Sequence, residues 1–155
     1  MQVDRTLLAA QGYIELEMPN EALRELDSLP QAAQGRQDVL QVRLFIFMRG
    51  SRWREAMEVC DTLRRGDPEQ PTGFIHGAFC LHELGQTREA KDLLLSGPAA
   101  LLHEATYFYN LGCYDAVLGN VAEAQRSLEI SFKMDDKFRE IAKYDPDLKG
   151  VAEEL

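Results

Sequence analysis

A Glu-Ala pair recurs four times in this chain, each copy 34 residues after the last, with no insertion or deletion between them. The pairs are Glu21-Ala22, Glu55-Ala56, Glu89-Ala90 and Glu123-Ala124. Other positions keep the same period. Twelve residues before each alanine stand Ala10, Leu44, Ala78 and Gly112, and four residues after it stand Leu26, Cys60, Leu94 and Leu128. Such fixed-period self-similarity is the signature of a repeat array.

The period has a physical cause in the packing of two helices. An alanine lets two helix backbones approach closely, and a small residue twelve positions earlier can face it across a helical hairpin. Gly85 and Gly119, five positions before Ala90 and Ala124, can adopt the positive φ that a tight turn between the helices requires. One hairpin cannot bury its own apolar faces, so neighbouring hairpins are expected to stack.

These residues resemble the tetratricopeptide repeat, whose 34-residue consensus has small residues at positions 8 and 20 and glycine near 15. Positions 71–104 and 105–138 match it best, and the other repeats are expected at about 3–36 and 37–70. The resemblance implies an all-α fold, an α-solenoid of four antiparallel helix-hairpin repeats with a C-terminal capping helix or helices. It also implies a single domain over residues 1–155.

Two prolines suggest a further period of 68 residues. Pro30 and Pro98 stand at equivalent points of repeats one and three, where repeats two and four have Arg64 and Phe132. Because a proline ends a helix just before itself, the second helix of each odd repeat is predicted to be about one turn shorter. The chain can then be interpreted as two double units, with coincidence as the alternative.

The tail from Lys137 to Leu155 departs from the 34-residue period. Apolar residues at helical spacing stand on both sides of Asp145-Pro146, which predicts one or two short helices. A terminal repeat needs a cap with a polar outer face. We therefore expect residues from about 139 to 155 to cover the apolar face of repeat four.

The composition excludes several classes of function. The formal net charge of -9 disfavours binding to nucleic acid, which needs Lys and Arg to replace phosphate counterions, and it equally disfavours a basic membrane-binding surface. No basic region followed by an apolar run stands at the start, and no apolar stretch approaches 18 residues, so we expect neither a secretory signal nor a transmembrane helix. Three unpaired cysteines favour reduced thiols in a cytoplasmic protein.

No catalytic signature is present, and we expect a non-enzymatic protein without a cofactor. His76 and Cys80 lie four residues apart and are the one pair with metal-ligand spacing, but zinc takes three or four ligands from a protein. His82 points to a different helical face from Cys80, and His103 has no cysteine near it in sequence. The sequence therefore predicts no metal site.

The resemblance implies a binding groove instead. In tetratricopeptide proteins the first helix of each repeat lines a concave face, mainly through positions 2, 5, 9, 12 and 13. The partner-binding residues implied here are Leu7, Gln11, Phe45, Met48, Arg49, Ile75, Phe79, His82, Glu83, Tyr109 and Cys113. Phe45, Phe79 and Tyr109 are expected to be at least partly solvent-accessible. An apolar strip with charged edges is typical of a surface that binds an apolar segment of a protein or peptide.

Alternatives remain for this groove. The C-terminal tail or a second copy of the chain can fill it, so a self-associating structural module, such as a homodimer, competes with a scaffold or adaptor. Class II chaperones of type III secretion translocators are similar in length, acidity and repeat type. A small-molecule sensor is a further alternative. The Lys/Asn/Arg clamp that binds chaperone C-termini is largely missing, because its positions hold Leu7, Gln11, Val42, Thr72 and His76.

Overall fold

The computed structural model describes residues 2–151, and the chain divides into two compact units, residues 1–67 and 68–155. Unit 1 contains two helical hairpins, α1 (Gln2–Glu15) with α2 (Pro19–Asp27) and α3 (Gln37–Arg49) with α4 (Trp53–Gly66). Unit 2 contains two more, α5 (Thr72–Glu83) with α6 (Thr87–Leu95) and α7 (Ala105–Val117) with α8 (Val121–Met134), followed by α9 (Lys137–Ala142). Residues 2–151 contain no strand, so the predicted all-α fold of helix-hairpin repeats is confirmed.

The four recurring alanines lie where the helices of each hairpin meet. Ala22, Ala56, Ala90 and Ala124 each have a relative exposure of 0%. Their partners twelve positions earlier, Ala10, Leu44, Ala78 and Gly112, are buried as well. The 34-residue period therefore marks a buried contact in each hairpin, and in repeat two the position twelve residues before the alanine holds the larger Leu44.

The turn inside each hairpin repeats the same backbone geometry. Five positions before each alanine, the residue adopts a positive φ, with values of 58° at Glu17, 56° at Ser51, 82° at Gly85 and 86° at Gly119. Two of the four positions are thus glycine, which adopts this conformation without strain, and two are not. The turn is set by the hairpin and not only by its residue type.

The second helices alternate in length. α2 and α6 each have 9 residues, whereas α4 and α8 each have 14, so the shortening predicted from Pro30 and Pro98 is confirmed. Each proline precedes a short 3-10 helix, at Gln31–Ala33 and Ala99–His103, in place of the missing helical turns. Each compact unit therefore contains one short and one long second helix.

The tail packs on the last hairpin of unit 2. α9 contacts α8, and a 3-10 helix at Pro146–Leu148 contacts α7. Leu148 has an exposure of 0%, and Phe138, Ala142 and Val151 are also buried. These residues belong to the hydrophobic core of unit 2, as a capping segment should. Residues 152–155 of the predicted cap lie outside the described part of the chain.

Each unit has its own hydrophobic cluster. The cluster of unit 1 is built around Ala10, Ala22 and Leu26, and that of unit 2 around Ala90, Tyr114 and Leu128. Cys60, Cys80 and Cys113 are buried and take part in no disulfide bond within the described part of the chain. Among the helices described here, none combines the length and the apolar character needed to cross a bilayer.

Candidate functional site

Four of the residues predicted from the groove positions line one cavity in unit 1. Leu7 and Gln11 come from α1, and Phe45 and Arg49 from α3, whose first helical turn adds Asp38. The cavity has a volume of about 540 Å³, and Ile14, Glu15, Gln41 and Val42 complete its lining. We call it the unit 1 cavity. Met48 is half-buried and does not line it.

The unit 1 cavity combines an exposed aromatic ring with a cation. Phe45 is 51% exposed, although most phenylalanine side chains of this size are buried. The guanidinium carbon of Arg49 lies 5.8 Å from the centre of the Phe45 ring, within the range of a cation–π contact. Arg49 takes part in none of the ion pairs found among residues 2–151. It therefore leaves a positive charge available at one end of the cavity.

The other end of α3 carries a carboxylate, Asp38, whose charge is neutralised by a neighbouring arginine. Asp38 receives two hydrogen bonds from Arg36, from Nε at 3.1 Å and from Nη2 at 2.9 Å. These bonds lower the pKa of the Asp38 carboxyl, which stays ionised and paired. Glu15, the last residue of α1, also lines the cavity, and its neighbours Ile14 and Glu17 border Arg49. A segment bound here would meet an unpaired cation at one end and a compensated carboxylate at the other.

The groove residues predicted in unit 2 have a different environment, because the tail covers several of them. Tyr109 is only 6% exposed, so the prediction that it is partly accessible is wrong. Its hydroxyl donates a hydrogen bond to Oδ2 of Asp145 at 2.6 Å, and its ring stacks on Phe138 with the ring centres 5.0 Å apart. Tyr109 stands at a groove position of its repeat, but the tail packs against it and covers it.

Two other predicted groove residues of unit 2 are buried too. Ile75 has an exposure of 8%, and Cys113 of 4%. The Cys113 thiol donates to Oδ2 of Asp145 over 3.6 Å. Burial, followed by the charges of Asp145 and Asp147, raises the pKa of this thiol, which favours its protonated form at neutral pH.

His82 joins α5 to the tail. Its Nε2 lies 2.8 Å from Oδ2 of Asp147, and its Nδ1 lies 2.9 Å from Oγ1 of Thr87. An ionised carboxylate only accepts hydrogen bonds, so Nε2 carries the proton shared with Asp147. In the neutral ring Nδ1 then accepts from the Thr87 hydroxyl. The imidazole is thereby fixed in one orientation at the base of the tail.

Cys113, Asp145 and Asp147 offer donor atoms within 4.8 Å of one another, a spacing that a metal ion could span. Hydrogen bonding already accounts for this arrangement. Asp145 accepts bonds from Tyr109, from Cys113 and from the backbone N–H of Asp147, the last at 3.0 Å.

In the other pair with metal-ligand spacing, Cys80 is buried and His76 is half-buried. Cys80 has an exposure of 0%, and burial, together with the charge of Glu83, raises the pKa of its thiol to about 11. Burial lowers the pKa of His76, which favours its neutral form. Cys80 is therefore a core residue of α5, and His76 lies at the margin of the core.

A second cavity lies in unit 2 and was not predicted as a whole. Its volume is about 960 Å³, and the predicted residues Phe79, His82 and Glu83 form one side of it. The opposite side comes from Val117 at the end of α7 and from the tail, through Ile141, Tyr144, Asp145, Pro146 and Asp147. We call it the unit 2 pocket. No motif in the sequence of the tail, apart from the Asp145-Pro146 turn, indicated that these residues line a pocket.

Comparisons with known proteins show the fold. A structure of MamA from Desulfovibrio magneticus RS-1 matches with a TM-score of 0.78 at 17% identity, over 98% of this chain and 90% of that one. A thermophilic TPR protein from Thermus thermophilus matches with a TM-score of 0.72 at 17% identity, over 88% of this chain and 77% of that one. YrrB, described as a TPR protein with an unusual peptide-binding site, matches with a TM-score of 0.69 at 14% identity, over 88% of this chain and 71% of that one.

No protein-family model matches the chain, and no curated protein matches it. At these identities the solved structures establish the fold alone. The tetratricopeptide resemblance of the sequence is confirmed at that level.

Proposed function

Because the chain has the fold of tetratricopeptide repeat proteins, we propose that it is a non-enzymatic scaffold or adaptor that binds a protein or peptide in the unit 1 cavity. The observation that carries this proposal is the exposed ring of Phe45, which lines a cavity of about 540 Å³ beside the cation of Arg49. Cavities of this size and lining accommodate one or two large side chains of a partner. YrrB, a solved structure of the same fold, is itself described by its peptide-binding site.

The apolar residues that line the cavity indicate which side chain of a partner would fit it. Leu7, Val42 and Phe45 offer apolar surface, and burying Phe45 removes an exposed aromatic ring from water. Aromatic side chains in the centre of an interface tend to dominate the binding energy. An apolar anchor, such as a leucine or a phenylalanine of the partner, fits this surface.

The charges give the segment a direction. Asp38 and Arg49 lie eleven residues apart on α3, which places them roughly 16 Å apart along the helix. The Asp38 carboxylate is already paired with Arg36, whereas Arg49 has no ion-pair partner among the described residues. A carboxylate of the partner near Arg49 would therefore fix the orientation of the bound segment.

Phe45→Ala tests this proposal in the full chain. Short random peptides are selected on the wild-type protein by display, and the affinities of the selected peptides are measured by fluorescence anisotropy. We expect apolar peptides to be selected and Phe45→Ala to raise their Kd about 30-fold, the scale of a hot-spot truncation. Leu8→Ala is the matched control, because Leu8 is 71% exposed on α1 but does not line the cavity. Equal affinities for wild type and Phe45→Ala would place binding elsewhere.

A second copy of the chain is the competing occupant, since an exposed aromatic ring also suits a homodimer. Analytical ultracentrifugation of the wild type and of Phe45→Ala separates the two cases. A monomer at all concentrations leaves the cavity open for a different protein. A dimer that Phe45→Ala dissociates would make the chain a self-associating module.

A further inference from the structure

We propose that the C-terminal tail builds a second binding surface, the unit 2 pocket, which takes a peptide segment carrying Lys or Arg beside an apolar residue. This surface is distinct from the unit 1 cavity and uses other residues. The tail then has two roles, because the same segment that buries Leu148 in the core also forms one wall of the pocket.

The pocket has three carboxylates and no basic side chain of the Lys or Arg type in its lining. Glu83 comes from α5, and Asp145 and Asp147 come from the tail. Asp147 pairs with His82, and Asp145 accepts hydrogen bonds from the neutral donors of Tyr109 and Cys113. Glu83 takes part in none of the ion pairs found in the described part of the chain. A cleft lined by one sign of charge concentrates ligands of the opposite sign.

Apolar side chains surround these carboxylates. Val117 is 47% exposed, Ile141 46% and Tyr144 86%, and all three line the pocket together with Phe79. Lys and Arg pack their aliphatic stems along apolar surface while their charged heads reach a carboxylate. The Tyr144 ring also offers a face to a cation. Apolar surface next to acidic groups therefore favours a basic, partly apolar segment over a small cation.

The wall formed by the tail is held in place before any ligand arrives. Leu148 anchors it in the core with an exposure of 0%, and the Asp145 carboxylate closes the turn through the N–H of Asp147. His82 and Tyr109 attach the same turn to α5 and α7. A preformed surface spends little binding energy on ordering itself. At about 960 Å³, the pocket has room for more than one side chain.

The test selects short random peptides on the full chain and sequences them. The selections use the wild type, the double variant Glu83→Gln with Tyr144→Ser, and Phe45→Ala. Both Glu83 and Tyr144 are exposed, so the double variant should fold. We expect a population rich in Lys or Arg next to apolar residues, absent with the double variant and retained with Phe45→Ala. Retention with Phe45→Ala separates this proposal from the one for the unit 1 cavity.

One selected basic peptide is then measured by fluorescence anisotropy. We expect Glu83→Gln to raise its Kd roughly fivefold, whereas Glu129→Gln, which removes the same charge from an exposed position of α8 outside the pocket, leaves the Kd within about twofold. The Kd should also rise as NaCl is raised from about 0.1 M to about 1 M, because the Debye length falls from about 10 Å to about 3 Å.

Three outcomes would overturn the proposal. The first is a selection without enrichment of Lys or Arg. The second is the same basic peptides with the double variant as with the wild type. The third is an equal loss of affinity with Glu83→Gln and Glu129→Gln, which would mean attraction to the net charge of the chain and not to the pocket.

Discussion

At the residue scale, the hairpins depend on buried positions where a larger side chain does not fit. Ala22, Ala56, Ala90 and Ala124 are fully buried, and Gly112 faces the last of them across a hairpin. A Cβ built on Gly112 would lie 2.7 Å from Cγ of Leu128 and 3.2 Å from the backbone oxygen of Ala124. Because one of these two atoms belongs to the backbone, the structure around Gly112 cannot make room for a Cβ by moving a side chain alone.

Gly112→Ala should therefore destabilise the protein. Overpacking a tight contact costs about 1–3 kcal/mol, which outweighs the gain in helix propensity. Gly12→Ala is the matched control, since a Cβ on Gly12 of α1 meets no atom within 4 Å. There the same change should stabilise by about 0.5–1 kcal/mol. Urea unfolding of both variants measures the difference, and a Gly112→Ala protein as stable as wild type would contradict the close contact.

Buried thiol and phenol groups predict a loss of stability at high pH. Burial raises the pKa of Cys80 from its ordinary value of 9.0 to about 11, and it raises the pKa values of Cys113, Tyr109 and Tyr114 as well. The unfolded chain thus releases these protons at lower pH than the folded chain. Their contribution to stability is complete below about pH 9 and decreases as the pH rises toward 11 and beyond.

Chemical unfolding at a series of pH values tests this dependence. The free energy of unfolding should fall steadily above pH 9, and Cys80→Ala should make the fall between pH 9 and 11 shallower. A free energy of unfolding that stays constant up to pH 11 would show that these groups ionise as readily in the folded chain as in the unfolded one.

At the scale of the elements, the sequence was sufficient to predict the helical hairpins and the alternation in length of their second helices. The 34-residue period located the hairpins, and Pro30 and Pro98 correctly predicted that α2 and α6 are short. These signals are local, because a proline beyond the first turn of a helix interrupts it whatever the rest of the chain does. The contacts that join one hairpin to the next are not local and left less trace in the sequence. An example is the pair between Lys91 of α6, which is half-buried, and Asp115 of α7, which is buried.

Lys91→Met should be among the most damaging polar substitutions in unit 2. Nζ of Lys91 donates to Oδ1 of Asp115 at 2.6 Å, and Asp115 is 2% exposed. Asn120 also donates to this oxygen, at 3.0 Å, but carries no charge. Removing the lysine leaves a buried carboxylate without its cation, which costs about 3–5 kcal/mol. Thermal and urea unfolding measure the loss.

Arg24→Met is the control for this substitution. Arg24 pairs with Glu21 at 2.7 Å on the exposed surface of α2, and such pairs contribute about 0–1 kcal/mol. Similar effects of Lys91→Met and Arg24→Met would mean that water reaches Asp115 in solution.

At the scale of the whole molecule, the sequence did not predict which groove residues the C-terminal tail covers. Repeat geometry correctly predicted that Phe45 is exposed and that Phe79 is partly so. The same geometry failed for Tyr109, whose hydrogen-bond partner, Asp145, is 36 residues away. The period ends before the tail begins, so no repeat position specifies where the tail packs. The partner-binding role of the groove residues remains a prediction.

The last prediction concerns the two separate hydrophobic clusters. Leu26 belongs to the cluster of unit 1 and Leu148 to that of unit 2, and each is 0% exposed. Replacing either with alanine should cost about 2–5 kcal/mol. In a repeat array each hairpin contacts only its neighbours, so each loss should stay largely within its own unit.

Native-state hydrogen exchange followed by mass spectrometry tests this locality, because it reports the opening of each segment separately. Leu148→Ala should speed exchange in α7 far more than in α1, and Leu26→Ala should do the reverse. Each variant is thus the control for the other. If both variants accelerate exchange equally in α1 and α7, the chain unfolds as one cooperative body and a weakened tail would disturb the unit 1 cavity as well. If the effects stay separate, unit 1 keeps its cavity while the tail opens, and the two proposed binding surfaces can be lost one at a time.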